Sequence, residues 1–143
     1  MTRKRLARRG FSLIELLVVL VILALLVGLV APRFMDQTKR GQVATAKSQI
    51  SAFKTALDLY RLDHNGNPPA ALEDLISPPN ASDGGQWKGP YLKDTTTIPL
   101  DPWGNPYEYV VPGPNGQDYE IISYGSDGRP GGSGDAEDIS SIR

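Results

Sequence analysis

The run FSLIELLVVLVILALLVGLVA, residues 11–31, limits what this chain can fold into more than any other feature. Its only strongly polar side chains are Ser12 and Glu15. As a helix, about 21 residues at roughly 1.5 Å each reach near 31 Å, which matches a bilayer hydrocarbon core of about 30 Å. Arg3, Lys4, Arg5, Arg8 and Arg9 all precede Phe11, and no acid does. Positive charge favours the cytoplasmic side, so this order predicts an N-terminus inside and an exported C-terminal domain.

Glu15 is the anomaly of the run. A carboxylate at the bilayer centre costs about 2.5–3.5 kcal/mol on insertion scales. Near one end of the span it can reach the interface, and an interfacial residue is the plain reading. A second reading gives it a partner. A cut before Phe11 would place a new α-amino group four residues away, and a cation from a neighbouring subunit would neutralise Glu15 inside an apolar assembly. An ordinary cleaved secretory signal fits poorly, because Leu29 is bulky where a small residue is needed and Pro32 follows at once. Hydropathy alone does not separate an assembling subunit from a plain membrane anchor.

The order Arg8-Arg9-Gly10-Phe11-Ser12-Leu13-Ile14-Glu15 resembles the type III signal of type IV pilin-like proteins. The resemblance implies that a prepilin peptidase cuts between Gly10 and Phe11 and that Phe11 becomes N-methylated. It also makes Glu15 the fifth residue of the mature chain and an assembly residue. Gly10, without a side chain, lets the backbone approach a protease closely.

Charge and composition narrow the rest. The chain has 143 residues, enough for one modest domain beyond the apolar segment. The leader takes five of the 15 basic residues and none of the 16 acidic ones, which leaves 10 against 16 and a net charge of −6 on the body. With the densest run of cations confined to the leader and a net acidic body, the chain shows no face for nucleic acid. It has no cysteine and one histidine. That excludes disulfides, thiolate metal sites and thiol nucleophiles, and it leaves almost no material for a histidine triad. Neither G-x-x-x-x-G-K-[ST] nor G-x-S-x-G occurs. These features point to a protein that is not an enzyme.

Beyond Pro32 the helical period resumes. Val43, Ala46, Ile50, Phe53, Leu57 and Tyr60 follow each other at intervals of three and four, one apolar stripe on an amphipathic helix. The pattern predicts one long helix from near Ser12 to about Leu62, kinked or loosened at Pro32. His64-Asn65-Gly66-Asn67-Pro68-Pro69 reads as its stop, with His64 on the surface. Residues 70–76 read as a short helix started by Pro69, and Trp87 as an aromatic anchor. Tyr107–Val111 and Tyr119–Ser123 alternate as strands joined by a turn over 112–117. A hairpin is marginal alone, so its apolar face should pack on the helical stripe.

Between helix and hairpin lies Asp101-Pro102-Trp103-Gly104-Asn105-Pro106-Tyr107, dense in residues that pre-set the backbone. This stretch resembles the signature of major pseudopilins of type II secretion systems. The likeness extends over leader, helix, loop, hairpin and acidic tail, and the missing cysteines separate the chain from many pilins proper. It implies an α+β, pilin-like fold: a long N-terminal helix, half transmembrane and half amphipathic, packed on a small antiparallel β-sheet with a Gly/Asp-rich C-terminal loop. The expected domains are a cleaved leader over 1–10, a transmembrane or filament-core helix over 11–31, and a globular domain over 32–143.

The tail from Ser123 to Ile139 interleaves glycines with acids. Its composition suits a solvated tail. It also suits a calcium site, since Ca²⁺ takes six to eight oxygens and glycines let carbonyls converge. The spacing is not that of an EF-hand. The resemblance implies a calcium ion in this loop, with Asp127 and Asp135 as first-choice carboxylate ligands, then Asp138, and backbone carbonyls from Tyr124 and Ile139.

The functional expectation is the major subunit of a periplasmic pseudopilus, anchored by a single pass in the inner membrane before it polymerises with its own copies. Such a filament helps to export folded proteins across the outer membrane. The resemblance implies as partners the prepilin peptidase/N-methyltransferase, minor pseudopilins, an inner-membrane assembly platform and a motor ATPase. Two other readings stay open on the residues: a type IV pilus-like subunit for adhesion, motility or DNA uptake, and a membrane-anchored binding module that does not polymerise.

Overall fold

The structure is a computed structural model that describes residues 10–79 and 85–143, with side chains left out for 31–36. The expected leader, apart from Gly10, lies outside the described residues. The chain divides into two compact units between Thr38 and Lys39.

A helix, α1, runs over Leu13–Asp63 with Pro32 within it, so the proline does not end the helix as a stop would. In the N-terminal unit none of Leu13–Val30 is buried. The apolar residues there have no protein to cover them, and a helix is the form in which such a segment satisfies its backbone without water.

In the second unit α1 turns amphipathic. Ala46, Ile50, Phe53, Leu57 and Tyr60 are buried, Val43 packs against them, and Ala56 joins the same face. The stripe therefore folds as its spacing predicts. The helix ends where Asn65 and Gly66 take left-handed backbone angles of φ 56° and 88°. There the Gly66 N–H donates to Arg61 O at 2.8 Å.

His64 departs from the sequence expectation. It is 8% exposed, not a surface residue. Its ring stacks on Tyr60 at 3.8 Å, and its Nδ1 lies 2.8 Å from the Tyr60 carbonyl oxygen. Residues four apart on a helix are neighbours, so the last turn carries His64 along the core stripe behind Tyr60.

Three antiparallel strands cover this stripe: β1 (Glu108–Val110), β2 (Glu120–Ser123) and β3 (Ile139–Ser140), in the order β1-β2-β3. Tyr109 pairs with Ile121, and Ser123 with Ile139. The expected hairpin is present with shorter strands. The third strand has no sequence signal, because two residues at the end of a glycine-rich segment carry no alternation to read. Tyr107, Ile121 and Ile139 enter the core, with Phe53 and Tyr107 edge to face at 5.2 Å. Burial holds the Tyr107 and Tyr109 hydroxyls well above the usual phenol range, helped by Asp101 for the first and mainly Tyr119 for the second.

The short helix expected at 70–76 is a 3₁₀ turn over Leu72–Leu75, whose Leu72 and Leu75 reach the core. Trp87 is half-buried and donates its indole N–H to Asp74 O at 2.7 Å, while it meets Tyr91 edge to face. It anchors its loop as the sequence suggests.

Phe53 is 1% exposed and Leu62, on the other side of α1, is 79% exposed. Phe53→Ala should lower unfolding free energy by about 3–5 kcal/mol, whereas Leu62→Ala should change it by less than about 0.5 kcal/mol. Denaturant titration followed by tyrosine and tryptophan fluorescence measures both.

Candidate functional site

Two regions carry chemistry, and each is built by its own local rules. The first is the start of α1. Glu15 lies in the first helical turn, where the Leu16 N–H donates to Ser12 O at 3.1 Å. Free N–H groups and the helix dipole make this end electropositive, so a carboxylate is favoured there. Phe11, Leu13 and Ile14 beside it are largely exposed, as are the large apolar residues up to Val30. Glu15 thus stands at the N-terminal end of a long apolar helix, four residues after Phe11.

The second region is the C-terminal loop, and the DPWGNPY segment positions it. Asp101 is 4% exposed, yet its carboxylate is fully engaged. Oδ1 accepts the N–H groups of Trp103 at 3.1 Å and Asn105 at 2.8 Å, and Oδ2 accepts the Ser123 hydroxyl at 2.6 Å. A buried charge needs such donors. The turn closes with Asp101 N–H to Asn105 O at 2.8 Å and with Gly104 at φ 91°. From this turn Asn105 Nδ2 donates to Gly125 O at 2.8 Å, and Gln42 on α1 donates to Pro102 O at 3.2 Å. Helix, sheet and C-terminal loop therefore meet at one turn.

The loop itself coils through two short 3₁₀ turns, Gly125–Asp127 and Gly134–Ala136. Gly125, Gly128, Gly131, Gly132 and Gly134 all have positive φ. At two of them no side chain would fit. A Cβ on Gly125 would stand 2.7 Å from Asp135 O, and one on Gly132 would collide with Ala136 O.

The expected ligands fall in this coil, though not as one cage. Asp127 Oδ1 accepts the Arg129 N–H at 3.2 Å. Asp135 Oδ2 pairs with Lys39 Nζ at 2.6 Å. Asp138 Oδ2 accepts the Gly131 N–H at 2.9 Å, while its Oδ1 is buried without a hydrogen-bond partner. Ile139 lies in β3 with its side chain in the core, and Tyr124 caps the first 3₁₀ turn. Among the described residues, no three His, Cys, Asp or Glu side chains come together as a ready metal cage.

The material nonetheless suits a hard cation. A buried carboxylate oxygen without a donor is costly, and carbonyls crowd the glycines beside it. Partial burial, then the charges of Glu108, Asp138 and Glu120, raise the Tyr124 hydroxyl above its ordinary range. These carboxylates make this corner electronegative.

Sequence reasoning missed Lys39 and Asp101 as elements of this region. Asp101 opens the DPWGNPY stretch, and the turn residues around it are the one local signal of its burial. Lys39 offered no local signal.

Comparison with known proteins gives two family matches. Residues 33–142 match the family described as type II secretion system (T2SS), protein G, and residues 5–31 match the prokaryotic N-terminal methylation motif. The chain is 41% identical over 140 residues to the type II secretion system core protein G of Pseudomonas aeruginosa, covering 95% of this chain and 96% of that protein. It is 35% identical over 140 residues to the protein of the same name from Vibrio cholerae, covering 96% and 93%. Among solved structures it resembles the major pseudopilin of the type 2 secretion system of enterohaemorrhagic Escherichia coli. That match has a TM-score of 0.58 and 29% identity, and it covers 75% of this chain and 91% of that one.

Gly131 and Gly132 separate strain from collision. Both have positive φ, but a Cβ at Gly131 meets open space. Gly132→Ala should destabilise the chain by about 1–3 kcal/mol and Gly131→Ala by less, as read from the thermal midpoints of the two variants.

Proposed function

The chain belongs to the family of type II secretion system protein G, and from that membership we propose that it is the major structural subunit of a pseudopilus. The family match over residues 33–142 carries this reading. On this reading the molecule is a building block whose surface, not a catalytic group, does the work.

The N-terminal methylation motif supports processing of a single-pass membrane precursor. A prepilin peptidase cuts between Gly10 and Phe11 and methylates Phe11. The globular unit then stands on the periplasmic side and the apolar part of α1 in the inner membrane. Assembly moves that part from lipid to the company of its copies. The exposed apolar surface over Leu13–Val30 supports this, since it is equally covered by hydrocarbon or by other such helices. Contacts that repeat head to tail without closing produce a helical filament.

Glu15 sets the register. In lipid its carboxylate is costly. In the filament it faces the methylated amine of a neighbouring Phe11, and a charge whose partner is present only in the polymer favours the polymer. A motor ATPase, an assembly platform and minor pseudopilins act on or with this subunit as the filament helps to move folded proteins through the outer membrane.

A calcium ion completes the C-terminal loop. The orphaned Oδ1 of Asp138 supports this, as do the carbonyls crowded at Gly125 and Gly132. Asp127, Asp135 and Asp138 would hold the ion, with Tyr124 and Ile139 offering backbone carbonyls. Bound there, it supplies a divalent charge that ties the loop to itself.

Three measurements test these statements. Intact mass of membrane-extracted protein should show loss of residues 1–10 and gain of one methyl group. In the same cells Glu15→Ala should insert normally and form no filaments; an uncleaved mass or normal filaments would refute the reading. For the ion, thermal unfolding of the full chain in micelles should shift upward with calcium relative to chelator. A concentration of about 100 times the dissociation constant is worth about 2.7 kcal/mol. Asp138→Asn should lose most of that shift.

A further inference from the structure

We propose that Lys39 is a built-in counter-cation of the C-terminal loop, which a calcium ion must displace from Asp135 in order to bind. The inference rests on the calcium reading above and adds a residue that sets how tightly the ion is held.

The three candidate carboxylates are not held alike. Asp127 and Asp138 each accept a backbone N–H from their own loop, from Arg129 and Gly131. Such donors are neutral, and each carboxylate keeps a second oxygen that they do not use. Asp135 instead pairs with an ammonium, Lys39 Nζ, at 2.6 Å from Oδ2. Lys39 stands on α1 at the first residue of the globular unit, far in sequence from the loop.

An ion and this ammonium do not share Asp135 comfortably. Calcium sits about 2.3–2.6 Å from its oxygens, so an ion on Asp135 would lie within a few ångströms of Nζ. That is well inside a screening length of about 8 Å at physiological salt. The pair is half-open to solvent, with side-chain exposures of 46% and 35%. The four-carbon stem of lysine can therefore swing the ammonium into water when the ion arrives.

Two consequences follow. Lys39 weakens calcium binding, because the ion must first break an existing ion pair. Calcium in turn releases a positive charge on α1 at the first residue of the globular unit. The ion state of the loop is thereby written onto the helix surface. Without calcium, Lys39 keeps Asp135 neutralised and limits repulsion among the loop's acids.

The test uses the full processed chain in detergent micelles. Calcium affinity is measured by isothermal titration for the wild type, Lys39→Met and Lys39→Arg. Lys39→Met should bind about twofold to fivefold more tightly, the range set by an exposed ion pair, and Lys39→Arg should match the wild type. In parallel, acylation of lysines by an amine-reactive ester is read by mass spectrometry. Labelling of Lys39 should rise when calcium is added, while that of Lys93 stays constant. Affinity that is unchanged or weaker in Lys39→Met, with calcium-independent labelling of Lys39, overturns the inference and leaves the calcium site standing. If none of the three proteins binds calcium, the calcium reading fails and this inference falls with it.

Discussion

The strands of this molecule hold three, four and two residues, and a sheet that small has no stability of its own. It exists because α1 offers it one apolar face. Ala46, Ile50, Phe53, Leu57 and Tyr60 form that face, and Tyr107, Ile121 and Ile139 close over it. The strands contribute little through their ladders and much through the side chains that they, and Tyr107 just before β1, put on the helix. The helix is the template, and the order of the rest follows from which segments can reach it. Even the 3₁₀ turn at Leu72–Leu75 is placed by two leucines that reach this core.

Since the apolar layer is thin, polar connections carry more of the specification. Asp101 is the clearest case. Its buried carboxylate accepts three donors, two from its own turn and one from Ser123 in β2. With Asn105 donating outward from this turn and Gln42 of α1 donating into it, helix, sheet and C-terminal loop are fixed by hydrogen bonds whose geometry is strict. In a chain without disulfides this is one way to hold long loops in place. It also explains why so dense a run of proline, glycine and asparagine sits between helix and hairpin: the backbone must present two N–H groups to one carboxylate.

How much of this was legible depends on the range of the interaction. The stripe on α1 is local, repeats at helical spacing, and could be read residue by residue. The hairpin was legible from alternation at Tyr107–Val111 and Tyr119–Ser123. What escaped depends on distant partners. β3 is two residues long and becomes a strand only because Ser123 and Ile122 stand beside it. His64 reads as a surface residue after the helix because its burial depends on stacking against Tyr60, which a helix-stop pattern does not report. In the candidate loop the acids and glycines were legible as ion-binding material. Their present partners were not. The pairing of Asp135 with Lys39 joins opposite ends of the globular unit, and no spacing rule reports it.

The two ends of α1 pose different problems for one polymer. Over Leu13–Val30 the helix is apolar on every side, so neither lipid nor a neighbouring helix is offered a preferred face. Dispersion and shape alone would let such cylinders slide along and turn about each other. In the filament proposed above, a single carboxylate in the first turn removes that freedom, because only one height and one rotation would bring it to a neighbour's amine. On that proposal the cost of Glu15 in hydrocarbon makes assembly specific, and its place at the electropositive end of the helix keeps that cost tolerable before assembly. On the other half of α1 the register is already fixed by the sheet and by Asp101. The proposed subunit is thus rigid where it must present a surface, and undecided only where its copies decide for it.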